Sequence, residues 1–184
     1  AAHVFLDYTS AAVKDGKNTH VVEDLKHVIA ASKPQVIYTH NLADKHDTHV
    51  GVALRLIRAL RELPKDSRPQ KLYGCEVWRN LDWLPDADKV VLDDSANPRL
   101  AVKLIGAFQS QIAGGKRYDL AIAGRRFANA TFHASHATDR TTALTWAMDL
   151  TPLVANPRLN VEKYALAQID RFRADVKERL RRFK

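Results

Sequence analysis

The sequence predicts an α/β domain in which helices flank a largely parallel sheet. Segments rich in β-branched residues alternate with amphipathic segments over the first two thirds of the 184 residues, and this alternation is typical of layered, parallel sheets. A hydrophobic content of 46% is enough to bury a sizeable core. No repeat or linker divides the chain, so we expect residues 1–184 to form a single domain.

The predicted elements follow from composition and spacing. Four segments have the apolar or β-branched composition of strands: residues 3–8, 35–39, 72–78 and 89–93. Three segments have apolar residues at helical spacing: residues 20–32, 50–63 and 160–183. Asn97-Pro98 has the N-cap and first-turn proline of another helix, which Gly114-Gly115 ends. Residues 118–123 fit a strand or a helix, and residues 141–150 are predicted to be helical.

Cysteine usage and hydropathy give an expected location. Cys75 is the single cysteine, so an internal disulfide is excluded, and a reducing compartment, by default the cytoplasm, is favoured. No apolar run reaches the roughly 18 to 20 residues of a membrane span, and no basic segment followed by an apolar one marks a signal peptide. The chain opens directly on residues 3–8 without an initiator methionine, so we expect its start to be internal to a longer protein.

The net charge of +8 would favour an anionic partner, and much of the excess lies in residues 170–184. Mixed charges on a terminal helix are most often a solvated face, and cations near a helix C-terminus also complement its dipole. A non-catalytic module that binds nucleic acid or another polyanion stays open, and it predicts salt-sensitive binding. The only aromatic residues within the basic run are Phe172 and Phe183, so nucleic acid ranks last among the partners.

Two histidine pairs have the spacing His-x-x-His: His46 with His49, and His133 with His136. Three residues apart on a helix, two side chains lie on one face and can converge on one ion. The first pair follows a predicted strand and opens a predicted helix, which is where open α/β sheets bind their ligands. Asp44 lies nearby and can orient an imidazole. The second pair is interpreted as ordinary polar residues, with its role left open.

The strand, loop and helix around the first pair resemble a known signature. Residues 36–41 read Val-Ile-Tyr-Thr-His-Asn, and residues 44–49 read Asp-Lys-His-Asp-Thr-His before Val50-Gly51 and the apolar helix. This order is similar to the second signature of the PIG-L/LmbE-like deacetylases, where a strand ends in a loop with a motif like Asp-x-His-Pro-Asp-His. The resemblance covers residues 3–80 and is looser beyond them. It implies a Rossmann-like sheet that lacks the family's N-terminal strand and helix.

The resemblance also implies a reaction and a set of roles. His49 would be a zinc ligand, and His46 would stabilise the charge that develops on the substrate's carbonyl oxygen. Zinc, or another divalent ion, polarises an acetamide carbonyl and lowers the pKa of its bound water, which suits removal of an acetyl group from an N-acetylated amino sugar or sugar conjugate. Asp44 joins the catalytic set because its charge would favour a protonated His46, against the effect of the helix terminus.

Two arginines are assigned to substrate binding. Arg79 is placed similarly to an arginine that some relatives direct at the active site, although its stem could instead cover a tryptophan. Arg126, near Asn129, is a candidate contact for a sugar or an anion.

The sequence departs from the family pattern in two places. Thr48 replaces a carboxylate thought to support the neighbouring histidine, and Asp47 or Asp44 would compensate. The family's His-Pro-Asp-Asp signature supplies two metal ligands and the general base, and nothing in these 184 residues matches it. We therefore expect an incomplete zinc site in this chain and activity in a longer protein. A hydratase or lyase on the same scaffold is the alternative enzyme, and homo-oligomerisation is left open.

Overall fold

The computed structural model describes residues 2–134 and 136–184, which form a mixed α/β fold. The strands in these residues are β1 (Val36–His40), β2 (Lys71–Cys75), β3 (Lys89–Asp93) and β4 (Leu144–Asp149). They form one sheet in the order β1-β2-β4-β3. Strand β1 runs parallel to β2, whereas β2 runs antiparallel to β4. The predicted α/β class is confirmed, but the sheet is mixed instead of largely parallel.

Helices flank the sheet. In chain order they are α1 (Ser10–Lys14), α2 (His20–Ser32), α3 (Asp47–Glu62), α4 (Pro98–Gly106), α5 (Ser110–Ala113), α6 (Tyr118–His133), α7 (Thr151–Ala155) and α8 (Val161–Arg181). Helix α2 has the predicted bounds, and so does β3. The single helix predicted after Asn97 is divided, because α4 ends at Gly106 and α5 begins at Ser110.

Two predicted elements are wrong. Residues 3–8 form no strand: they have no regular structure, and Phe5 is 80% exposed. Residues 144–149 are strand β4 and not a helix. Trp146, Ala147 and Met148 are buried there. A short apolar run fits a buried strand as well as a buried helix, and pairing with β2 decides for the strand.

The chain divides into two compact units, Ala1–Lys89 with Ala147–Lys184 and Val90–Trp146. In the first unit, α1 and α2 pack against α3, and α3 packs against β1. Arg61, near the end of α3, donates its Nε to the carbonyl of Leu153 at 2.7 Å and its Nη2 to that of Leu159 at 2.6 Å. One guanidinium therefore ties α3 to α7 and to the segment leading into α8.

In the second unit, α4 and α5 pack against α6. Asn129 on α6 is buried, and its Nδ2 donates to the carbonyl of Leu144 at 3.0 Å. This hydrogen bond joins α6 to the first residue of β4. Residues 118–123, whose sequence fits either a strand or a helix, form the start of helix α6.

Candidate metal centre

The loop between β1 and α3 joins the predicted histidine motif to the end of the strand. Strand β1 ends at His40, and α3 begins directly after His46, its N-cap residue. Asn41 is fully buried and fixes the start of the loop. Its Nδ2 donates to the carbonyl of Cys75 at 3.0 Å, and its Oδ1 accepts the backbone N–H of Ala43 at 2.9 Å. The loop is thus held against the end of β2 from its first residue.

Gly74 in β2 allows this close approach. A Cβ atom built at this position would lie 2.9 Å from Cα of Asn41, 2.9 Å from Cδ1 of Leu150 and 3.1 Å from the carbonyl oxygen of His40. Real Cβ atoms essentially never come within 3.0 Å of such atoms. Glycine is therefore required where β2 passes the end of β1.

The carboxylate of Asp44 lies at the centre of the cluster, and its side chain is 0% exposed. Oδ1 accepts the backbone N–H of His46 at 3.1 Å, and Oδ2 accepts that of Trp78 at 3.2 Å. Oδ2 also lies 3.2 Å from Nδ1 of His49. Burial alone raises the pKa of Asp44, but the hydrogen bonds from His49, His46 and Trp78 outweigh burial and lower that pKa below its ordinary value. An ionised carboxylate therefore faces His49.

Three imidazoles lie beside this carboxylate. The rings of His40 and His49 are stacked, with centroids 3.9 Å apart and 4° between their planes. The ring of His46 lies 4.5 Å from that of His49, at 25°. Burial, followed by the charge of His49, lowers the pKa of His40 to about 4, although Asp44 opposes this shift. His40 is therefore neutral at neutral pH, and a neutral imidazole has one nitrogen lone pair to offer.

The chemistry of these donors fits a divalent metal. His40, Asp44 and His49 each offer one ligand atom, and these atoms lie within 4.8 Å of one another. Nδ1 of His40 is buried without a hydrogen-bond partner. Zinc binds imidazole nitrogen and carboxylate oxygen at about 2.0–2.2 Å, so two ligand atoms of a tetrahedral ion are roughly 3.4 Å apart. Side-chain rotations that bring the ligand atoms together by up to about 1.4 Å would satisfy this geometry.

The outer rim of the cluster is formed by three neighbouring side chains. His46 is exposed, and its ring centroid lies 6.0 Å from that of Trp78. The Nζ of Lys45 lies 5.4 Å from the centroid of the Trp78 ring, within the range of a cation–π contact. An acceptor that approaches His49 from solvent would therefore meet the imidazole of His46.

The residues predicted to bind substrate lie in different surroundings. Arg79 is exposed in the segment after β2. Arg126 belongs to the second unit, where its Nε lies 3.1 Å from Oδ2 of Asp94 and donates to the hydroxyl of Thr145 at 3.2 Å. Of the predicted site residues, His46, His49 and Asp44 are thus brought together, whereas the roles of Arg79 and Arg126 stay predictions.

The second histidine pair differs in burial. His133 is the last residue of α6 and is half-buried, with its ring centroid 4.8 Å from that of Trp146. His136 is exposed, and Ser135, which precedes it, lies outside the described residues. The sequence does not predict the secondary structure of this segment, and the structure shows that His133 is helical.

Sequence reasoning did not predict two members of the cluster, His40 and the backbone of Trp78. A signal for both was present, because His40 ends one strand and Trp78 follows the next. The two strands pair in parallel with His40 opposite Cys75. Since the carboxyl ends of parallel strands meet at one edge of a sheet, this pairing brings both residues to the loop.

No protein-family model matches the sequence, and no curated protein is significantly similar to it. The resemblance to a deacetylase family therefore stays a prediction from the sequence motif. In the part of the chain that the structure describes, no helix is both long and apolar enough to cross a membrane.

Proposed function

We propose that this chain supplies part of the active site of a zinc-dependent N-deacetylase similar to the PIG-L/LmbE-like enzymes. The substrate class would be an N-acetylated amino sugar or sugar conjugate. The observation that carries the proposal is the convergence of Asp44 with His46 and His49 where β1 leads into α3. A metal ligand, a group that orients it and an exposed donor are all needed for metal-assisted amide hydrolysis, and these three residues match those needs.

Each of the three side chains has a distinct task in this proposal. When bound, zinc would polarise the acetamide carbonyl and make a water molecule nucleophilic. The carboxylate of Asp44 accepts a hydrogen bond from Nδ1 of His49, which fixes the ring and leaves Nε2 for the metal. His46 then donates to the carbonyl oxygen as negative charge develops there, an interaction that favours the transition state over the substrate.

The position of β1 in the sheet supports the same proposal. Strand β1 is at one end of the strand order, and Tyr38 on it is 60% exposed. A further strand that paired with β1 in parallel would end beside His40. We propose that the His-Pro-Asp-Asp signature, which would bring the remaining ligands and the general base, is placed by such a strand. The Rossmann-like order of the whole sheet belongs to this proposal as well.

The first test is to read the coding sequence upstream of Ala1 for a His-Pro-Asp-Asp stretch. In a protein that joins this motif to the present chain, we expect bound zinc and acetate release from N-acetylglucosamine conjugates. His49→Ala should lose both zinc and activity, whereas His46→Ala should keep zinc and lose about 10²- to 10³-fold in kcat, as expected when one oxyanion donor is removed.

His27→Ala provides the matched control, since His27 is exposed on α2. This variant should retain zinc and activity. Retention of zinc and full activity by His49→Ala would contradict the proposal. A product that keeps all the atoms of the substrate, with no acetate released, would favour the hydratase alternative.

A further inference from the structure

We infer that His40 is a second imidazole ligand, so that His40 and His49 form a two-histidine site for a transition metal within the first unit. This inference deepens the proposed function and rests on a metal being bound at His49. Neither the His-x-x-His spacing nor the family motif assigns a role to His40. Its assignment depends on the fold, because β1 and α3 are the elements that bring the two rings together.

The first observation is the relation between the two rings. Their centroids are 3.9 Å apart and their planes differ by 4°, so the two rings are stacked. One ligand nitrogen of His40 and one of His49 lie within 4.8 Å of each other. Because the lone pair of a ring nitrogen lies in the plane of its ring, a single ion can bind both nitrogens once the two rings rotate out of this stacked arrangement. Two imidazoles held together in advance bind a metal with less loss of side-chain entropy than two separate ones.

The second observation is a buried polar atom without a partner. Nδ1 of His40 is buried and forms no hydrogen bond. Such atoms are uncommon in folded proteins, because burial without a partner costs about 1–3 kcal/mol. Coordination of a cation would satisfy this nitrogen, whereas a purely structural histidine at the same place would leave it without an interaction.

The third observation concerns Asp44 and narrows the ligand set. Both oxygens of this buried carboxylate already accept backbone N–H groups, from His46 and Trp78, and Oδ2 also faces Nδ1 of His49. Asp44 is therefore a positioning residue for His49, and the two imidazoles supply the ligand atoms. Nitrogen donors favour zinc, cobalt, nickel and copper, whereas magnesium and calcium favour oxygen. The site should accordingly select the first group.

The test uses the 184-residue chain without a histidine tag and the metal alone. Zinc is titrated by calorimetry, and cobalt(II) by its visible absorption, into the wild type and into His40→Ala and His49→Ala. We expect both variants to lose more affinity than the roughly 10- to 100-fold typical of losing an outer-shell partner. His27→Ala serves as the control and should bind zinc like the wild type, because His27 is exposed on α2 and does not belong to the proposed ligand pair.

A second measurement uses the wild type alone, so it does not depend on the folding of a variant. Ring nitrogen signals of the histidines are followed by NMR in the wild type as zinc is added, and the signals of both His40 and His49 should shift together at one equivalent. Unshifted nitrogens of His40, with unchanged affinity in His40→Ala, would overturn the inference while leaving His49 as a ligand. Failure of the wild-type chain to bind zinc would also overturn it, and acetate release by the longer protein would still decide the proposed function separately.

Discussion

Each compact unit contains a cluster of polar side chains near the end of a strand, and the two clusters use the same residue types differently. In the first unit, Asp44 is completely buried, and its oxygens face two backbone N–H groups and the imidazole of His49. In the second unit, Asp94 is 28% exposed and forms an ion pair with Arg126, while the hydroxyl of Thr145 donates to the same carboxylate. The first cluster leaves imidazole nitrogens for a ligand, whereas the second satisfies its charges internally.

Because of this difference, the first cluster can bind a metal, whereas the second cluster links secondary-structure elements. A buried carboxylate that orients a histidine is the arrangement found behind metal ligands. A partly exposed ion pair contributes about 0–1 kcal/mol and needs no ligand. Arg126 nevertheless lines an open cavity of about 290 Å³ together with Asn97 and Leu100, so its predicted contact with a sugar or an anion stays a prediction. Substitutions in the two units can test this contrast.

The largest effect is expected at Gly74, which supports the first cluster. In Gly74→Ala, the new methyl group would overlap Asn41 and Leu150 at 2.9 Å, so β2 and the loop must separate. We expect the free energy of unfolding to fall by about 3 kcal/mol, as for overpacking of a rigid site, and metal affinity to fall with it. Urea unfolding and zinc titration measure both quantities.

The control for this substitution lies in the second unit. A Cβ atom on Gly124, within α6, would meet nothing within 4 Å. Gly124→Ala should therefore raise the free energy of unfolding by about 0.5–1 kcal/mol through helix propensity. A Gly74→Ala protein as stable as the wild type would show that the loop is not held as tightly as the geometry indicates.

The next effect is expected for Asp44→Asn. The single amide oxygen can accept from only one of the two backbone N–H groups, and an NH₂ group turned toward Nδ1 of His49 favours the tautomer with the proton on Nε2. That proton occupies the position proposed for the metal, so zinc affinity should fall about 10- to 100-fold with the fold retained. Calorimetry measures the affinity, and circular dichroism measures the fold.

Asp94→Asn is the matched substitution in the second cluster, and it should leave zinc affinity unchanged. Equal zinc affinity in Asp44→Asn and the wild type would show that the buried carboxylate does not control the tautomer of His49.

The sequence predicted the elements that have strong local signals. Helix α2 and strand β3 have the predicted bounds, because apolar periodicity and flanking breakers act over a few residues. Strand β4 was predicted as a helix, and residues 3–8 were predicted as a strand. Both errors concern strand pairing, which depends on distant parts of the chain. Met148 in β4 pairs with Gly74 in β2, whereas residues 3–8 pair with none of the four strands that the described residues form.

The candidate site also has residues that local sequence predicts and residues that only tertiary structure brings in. His46, His49 and Asp44 lie within six residues of one another in the sequence, so spacing and the family motif were enough to select them. His40 could not be selected by spacing, because its contact with His49 depends on where β1 ends and how the loop turns back. The N–H of Trp78 reaches Asp44 across 34 positions of the chain, and only the parallel pairing of β1 with β2 brings it there.

The smallest effect is expected for Arg126→Gln in the second cluster. This change removes the ion pair with Asp94, and because both side chains are partly exposed, solvent and salt already screen the attraction. We expect the free energy of unfolding to fall by about 1 kcal/mol or less, less still in high salt, with zinc affinity unchanged. Urea unfolding at low and high salt measures the effect, and Arg173→Gln, in a more exposed pair with Asp170, is the reference for a negligible one. If Arg126→Gln lowered the free energy of unfolding by several kcal/mol, or lowered zinc affinity, the second cluster would be more than a partly exposed ion pair.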